Sequence, residues 1–95
     1  MPTYISLLRL TDQGARNIKK SMSRAMAFDK AAEKAGVQIV AQYWTIGEFD
    51  GVLIVSAEKE EQALHCLTEL AAAGNMRPHT LQAFDMKTFA GIVGK

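Results

Sequence analysis

The chain has 95 residues, 48% of them hydrophobic and 22% charged, and a net charge of +1. That balance excludes intrinsic disorder and gives no general attraction to nucleic acid or an anionic membrane, while the length allows one domain, residues 1–95, and not two. No apolar run approaches the roughly 20 residues needed to cross a bilayer, the segment Met1 to Ile5 lacks a secretory signal, and Cys66 is the lone cysteine, so a soluble, cytoplasmic protein without internal disulfides is expected.

Thr3 to Leu10 reads as a strand apolar on both faces, with Ile5 and Leu7 on one and Tyr4, Leu8 and Leu10 on the other. Thr11 is a capping residue, Asp12 suits the positive end of a helix dipole, and Gly36 is a stop, which predicts one uninterrupted helix between them. Its buried stripe is Ala15, Ile18, Met22, Ala25, Phe28, Ala32 and Ala35, and Arg16, Lys20 and Arg24 form a basic row that reads as a solvated face.

Val37 to Thr45 is the second strand. Strict alternation puts Val37, Ile39, Ala41 and Tyr43 on one face and Gln38, Val40, Gln42 and Trp44 on the other. Gly47 and Gly51, with Glu48 and Asp50 between them, mark a hairpin turn into a third strand, Val52 to Ala57, apolar on both sides. Glu58, Glu60 and Glu61 open a second long helix with Ala63, Leu64, Leu67, Leu70 and Ala71 inward, and Gly74-Asn75 ends it. Met76 to Phe84 is the fourth strand, and Pro78 confines it to a sheet edge or a bulge. Met86, Phe89, Ala90 and Val93 recur at helical spacing and predict a short terminal helix packed back on the domain.

This order is α+β: a ferredoxin-like βαββαβ unit with a C-terminal helix and an antiparallel sheet in the order 4-1-3-2, both long helices covering one face. Tyr4, Leu8, Val40 and Trp44 then fall on the uncovered face, an apolar patch that a second copy would cover to make a dimeric α/β barrel. The expected partner is the chain itself, as a homodimer or a higher oligomer.

Three separated blocks, Thr11-Asp12-Gln13-Gly14 with Asn17-Ile18-Lys19, Tyr43-Trp44-Thr45-Ile46-Gly47-Glu48-Phe49-Asp50, and Gly74-Asn75-Met76-Arg77 with Thr80-Leu81 and Ala83-Phe84, resemble those of the GYD-domain family. Phe49 stands where that family typically carries tyrosine, so a role for a phenolic hydroxyl there is not implied. The resemblance implies a ferredoxin-like fold and a dimeric barrel, and it brings no established reaction.

The candidate binding residues are Trp44, Gln42 and Tyr4 on the uncovered sheet face, His79 in the fourth strand, and Glu48 and Asp50 on the hairpin. A small, mostly apolar ligand between two sheets would suit this set. Each residue also has a structural reading: dimer packing for Trp44, turn hydrogen bonding for Asp50, a solvated edge for His79 beside Arg77. His65, His79 and Cys66 lack metal-ligand spacing, Cys66 among alanines and leucines reads as core, and no cofactor signature is present. Two functions remain open: a small homo-oligomeric binding protein, and a cofactor-independent monooxygenase or isomerase acting on a small aromatic or lactone, with Trp44 and His79 in one cavity.

Overall fold

The computed structural model describes residues 1–94. Strand β1 (Thr3–Leu10) leads through α1 (Asp12–Arg16) and a 3-10 turn (Ile18–Lys20) to α2 (Ser21–Lys34). Then come β2 (Val37–Trp44), β3 (Gly51–Ala57), α3 (Glu60–Ala72), β4 (Met76–Ala83) and α4 (Met86–Ile92). The sheet order is β2-β3-β1-β4 with every neighbour antiparallel, the predicted 4-1-3-2 order seen from the other side, and the fold is ferredoxin-like. Pro78 lies in β4, an edge strand, as its missing N–H requires.

The core lies between the sheet and the two long helices. Tyr4, Leu8, Leu53, Val55, Ala57 and Val37 meet Ala32 of α2 and Ala63, Cys66 and Leu67 of α3. Leu53 and Val55 are 2% and 0% exposed, so the centre of β3 is the best-covered part of the sheet. Ser6 is buried on the same face, where its hydroxyl shares a hydrogen bond with Thr80 Oγ1 at 2.9 Å and so avoids the cost of an unpaired polar group.

Three expectations are corrected. The helix predicted between Thr11 and Gly36 is not continuous. Gly14 and Asn17 are weak helix formers, Asn17 leaves helical geometry (φ −108°, ψ 25°), and its side-chain amide donates to the Gln13 carbonyl at 2.9 Å. Only the later part of the predicted stripe packs: Ala32 is fully buried, whereas Ile18 and Met22 are 53% and 60% exposed.

The second correction concerns faces. Opposite β3, Ile39 pairs with Val55 and Ala41 with Ile54, so Val40 is an extra residue in a β-bulge. One such residue reverses the alternation after it. Val37 and Ile39 face the helices as predicted, but Gln42 and Trp44 now face them too, and Tyr43 turns to the open side. Tyr4 and Leu8 also belong to the helix-side core. The open face instead carries Ile5 and Leu7 of β1, Val52 and Ile54 of β3, Tyr43 of β2, and His79 and Leu81 of β4.

The third is α4. Asp85 caps it, accepting from the Thr88 N–H at 2.8 Å, but every residue from Phe84 to Gly94 is exposed. The helix forms and projects as an arm instead of packing back.

Candidate functional site

Three short segments converge at the end of the sheet where β1 finishes. Thr11 caps α1 by accepting from the Gly14 N–H at 3.1 Å, and its own hydroxyl donates to the Gly74 carbonyl at 2.5 Å. The Thr11 N–H donates to the Asn75 carbonyl at 3.1 Å, and the Gln13 amide donates to both the Ala73 carbonyl and Asn75 Oδ1. Gly14 is buried in this junction, where a Cβ would collide with the Asn75 carbonyl. From the other side the β2–β3 connection closes in: the Asp50 N–H donates to the Leu8 carbonyl, and the Asp50 carboxylate accepts from the Leu10 N–H, each at 2.8 Å. Thr45 seals the turn, donating to the Phe49 carbonyl at 2.6 Å. The sequence blocks far apart along the chain therefore meet at one place.

A cavity of about 360 Å³ opens on the helix side of this junction. Its apolar walls come from Leu8 and Leu53 of the sheet, Phe28 of α2, Leu70 of α3, Trp44 and Met76. Small residues make the space: Ala25 on α2, Gly51 on β3 and Ala73 after α3. The polar groups around it are Arg24, Gln42, Asp50, Glu69 and Asn75. Most of them are already engaged. Gln42 donates to Asp29 on α2 at 2.8 Å, Asp50 holds the Leu10 N–H, and Arg24 donates to the Asn17 carbonyl at 2.8 Å. A cavity of this size, mostly apolar and edged by a few polar groups, is within the range of ligand and side-chain binding sites.

The open face has its own cluster at the same end. Arg9 and Glu48 form an ion pair at 3.0 Å, with 47% and 73% of their side chains exposed, so the pair adds little stability. The Arg9 guanidinium stacks 4.8 Å from the Phe49 ring centre, and His79 meets the same ring edge-on at 5.8 Å. Phe49 is thus a packing centre, and this contact needs no phenolic hydroxyl.

The six candidate residues divide among three places. Trp44, Gln42 and Asp50 line the helix-side cavity, Glu48 and His79 join the open-face cluster, and Tyr4 sits in the core with 4% exposure. The two hairpin carboxylates consequently have separate partners. Burial, and then the nearby Glu60 carboxylate, push the Tyr4 phenol above its ordinary value, and its hydroxyl has no hydrogen-bond partner among the described residues. Burial likewise raises the Cys66 thiol. The sequence marks Phe28, Leu70 and Met76 only as core or strand positions. Their contribution to a cavity depends on the small residues opposite, which periodicity does not reveal. Among the described residues no group of three or more His, Cys, Asp or Glu is placed to hold a metal ion, and no helix is long and apolar enough to cross a membrane.

The arrangement has counterparts among known proteins. A crystal structure of TTHA0845 from Thermus thermophilus superposes with a TM-score of 0.57 at 23% identity, covering 90% of this chain and 95% of that one, a likeness of fold. The glutamine synthetase and cystathionine beta-lyase binding protein of Thermus thermophilus is 37% identical over 84 residues, 87% of this chain and 88% of its own. The GYD domain pattern matches residues 4–93, from β1 through the arm, and the chain belongs to the GYD domain family.

Proposed function

We propose that this chain is a homodimeric, protein-binding module whose open sheet face is closed by a second copy, leaving the outer surfaces for a larger client protein. One observation carries the reading: Ile5, Leu7, Val52, Ile54, Tyr43 and Leu81 share a face that neither long helix covers, with Tyr43 and Leu81 62% and 56% exposed. A contiguous apolar face of this kind on a small chain marks an interface. Two such sheets packed about a two-fold axis make a dimeric α/β barrel. The related Thermus protein is named for binding two enzymes, which supports a client of the same kind here and a place in the cytoplasm.

The test is light scattering at low micromolar concentration. A mass of twice the monomer is expected, falling to one monomer in Ile54→Asp, which puts a carboxylate at the centre of the face. A clean monomer for the wild type removes the reading. Client binding is tested by gel filtration with a purified glutamine synthetase or cystathionine beta-lyase from the same source, where co-elution is expected and separate elution of both removes that part. The binding reading is favoured over a catalyst with Trp44 and His79 in one cavity by the placement of these two residues on opposite faces of the sheet.

A further inference from the structure

At the Ala32 and Ala63 end the two long helices close on the sheet, and both residues are fully buried. At the other end they stand apart. The positions of α2 that continue the inward stripe, Ser21, Arg24, Ala25 and Phe28, are half-buried, and Ala32 alone of this helix is buried. The end of α3 brings Leu70 and Ala73 to the same space. Ala25, Ala73 and Gly51 are too small to bridge it, so about 360 Å³ stays open over Leu8 and Leu53. Protein interiors rarely leave a void larger than a water molecule. The homodimer proposed above does not fill this one, since it uses the opposite face of the sheet.

The rim sets what an occupant must offer. It carries one guanidinium, Arg24, and two carboxylates, Asp50 and Glu69. Arg24 is held within its own segment, donating to the Asn17 carbonyl at 2.8 Å and to Ser21 Oγ at 3.4 Å, and Asp50 holds the Leu10 N–H. The Glu69 carboxylate is in no ion pair among the described residues. Gln42 gives an amide N–H to Asp29 at 2.8 Å, which leaves its carbonyl oxygen as an acceptor. An anion is disfavoured beside the two carboxylates, and a full charge of either sign loses its hydration against the apolar walls. A hydrogen-bond donor on an otherwise apolar molecule suits both free acceptors. At an interior packing density of about 0.75 the volume corresponds to about two or three aromatic rings.

We infer that the helix-side cavity binds a small, uncharged aromatic molecule carrying a hydrogen-bond donor, its rings among Phe28, Leu70 and Trp44 and its donor directed at Gln42 or Glu69. The site is separate from the dimer face, so a monomer in light scattering leaves it standing.

The probe is 1-anilinonaphthalene, an uncharged aromatic amine of this size. Its emission is expected to rise on binding one molecule per chain, and Trp44, the only tryptophan, to be quenched by energy transfer to it. Its 8-sulfonate has the same ring system with a fixed negative charge and is expected to bind about tenfold more weakly, a difference that Glu69→Lys removes. Ala25→Leu fills the space from α2 and is expected to weaken the uncharged probe about tenfold, whereas Ile54→Asp on the opposite face leaves it within about twofold. Ala73→Leu closes the same space from α3 and is expected to act alike, with the melting curve of each variant showing that it is folded. A probe that still binds both leucine variants lies outside the cavity and overturns the inference. Absence of binding by the wild type overturns it too, and a gain of binding in Phe89→Glu would then show that the chain's own arm occupies the space. A sulfonate that binds as tightly as its uncharged parent overturns the ligand class.

Discussion

Gly14 shows how much a single position can hold. It is a weak helix former inside α1, yet the close approach of the Asn75 carbonyl leaves no room for a methyl group. Gly14→Ala is therefore expected to destabilise the protein by about 1–3 kcal/mol despite alanine's better helix propensity, read from the urea midpoint. A neutral or stabilising result would show that the junction is looser than described. Cys66 makes a pH prediction. Its folded pKa is raised by burial above the ordinary 9.0, so the folded state holds the thiol proton more tightly than the unfolded chain. The resulting stability is fully present below the unfolded pKa and is lost as pH rises through the folded one. Tyr4, raised above 10.0 for the same leading reason, adds a second loss at higher pH. Urea midpoints measured from pH 7 to 11 should be flat to about 9 and then fall, with Cys66→Ala removing the earlier part of the decline. At this scale the sequence was informative about identity and silent about contact. Thr11, Gly14, Asn75 and Asp50 stood out as family blocks, but only the fold shows that they touch.

The β2 bulge is where reading by alternation failed. Gln38, Val40, Gln42 and Trp44 alternate cleanly with Val37, Ile39, Ala41 and Tyr43, and nothing in that pattern marks Val40 as the extra residue. The pairs on either side of it, Ile39 with Val55 and Ala41 with Ile54, are in consecutive register on β3. Deleting Val40 should therefore leave both pairs, and the placement of Trp44, intact at a cost of about 1 kcal/mol or less. Unchanged Trp44 emission in the deletion variant is the expected result, whereas a red shift with a large loss of stability would mean that the strand had rotated. The break at Asn17 was more legible, since Gly14 and Asn17 both oppose helix continuation. What the pattern could not show was Arg24 bridging the break to the Asn17 carbonyl. Strand number, edge position of β4 and the two long helices followed directly from periodicity and turn residues, because those signals are local.

For the molecule as a whole, the presence of an uncovered apolar face was legible, but its membership was not, because face assignment depends on parity and one bulge plus the choice of side for β1 exchanged the residues. Tyr43, Ile5 and Leu81 take the role expected of Trp44, Tyr4 and Leu8. If that face is covered by a second copy, as proposed, folding is coupled to association. The melting temperature should then rise by roughly 5–10 °C over a hundredfold increase in protein concentration, measured by scanning calorimetry. A concentration-independent value would favour a self-sufficient monomer. The register of the outer strands has a mechanical side as well. Thr3 lies opposite Ala83, so β1 begins and β4 finishes at the same end of the sheet. Force applied to the two chain ends would load the β1–β4 ladder one hydrogen bond at a time, as a zipper opens, and not all bonds together in shear. A tether at the termini thus pulls on the weakest direction of the fold, while the junction around Gly14 and Asp50, at the far end of β1, is the last part of the ladder to feel it.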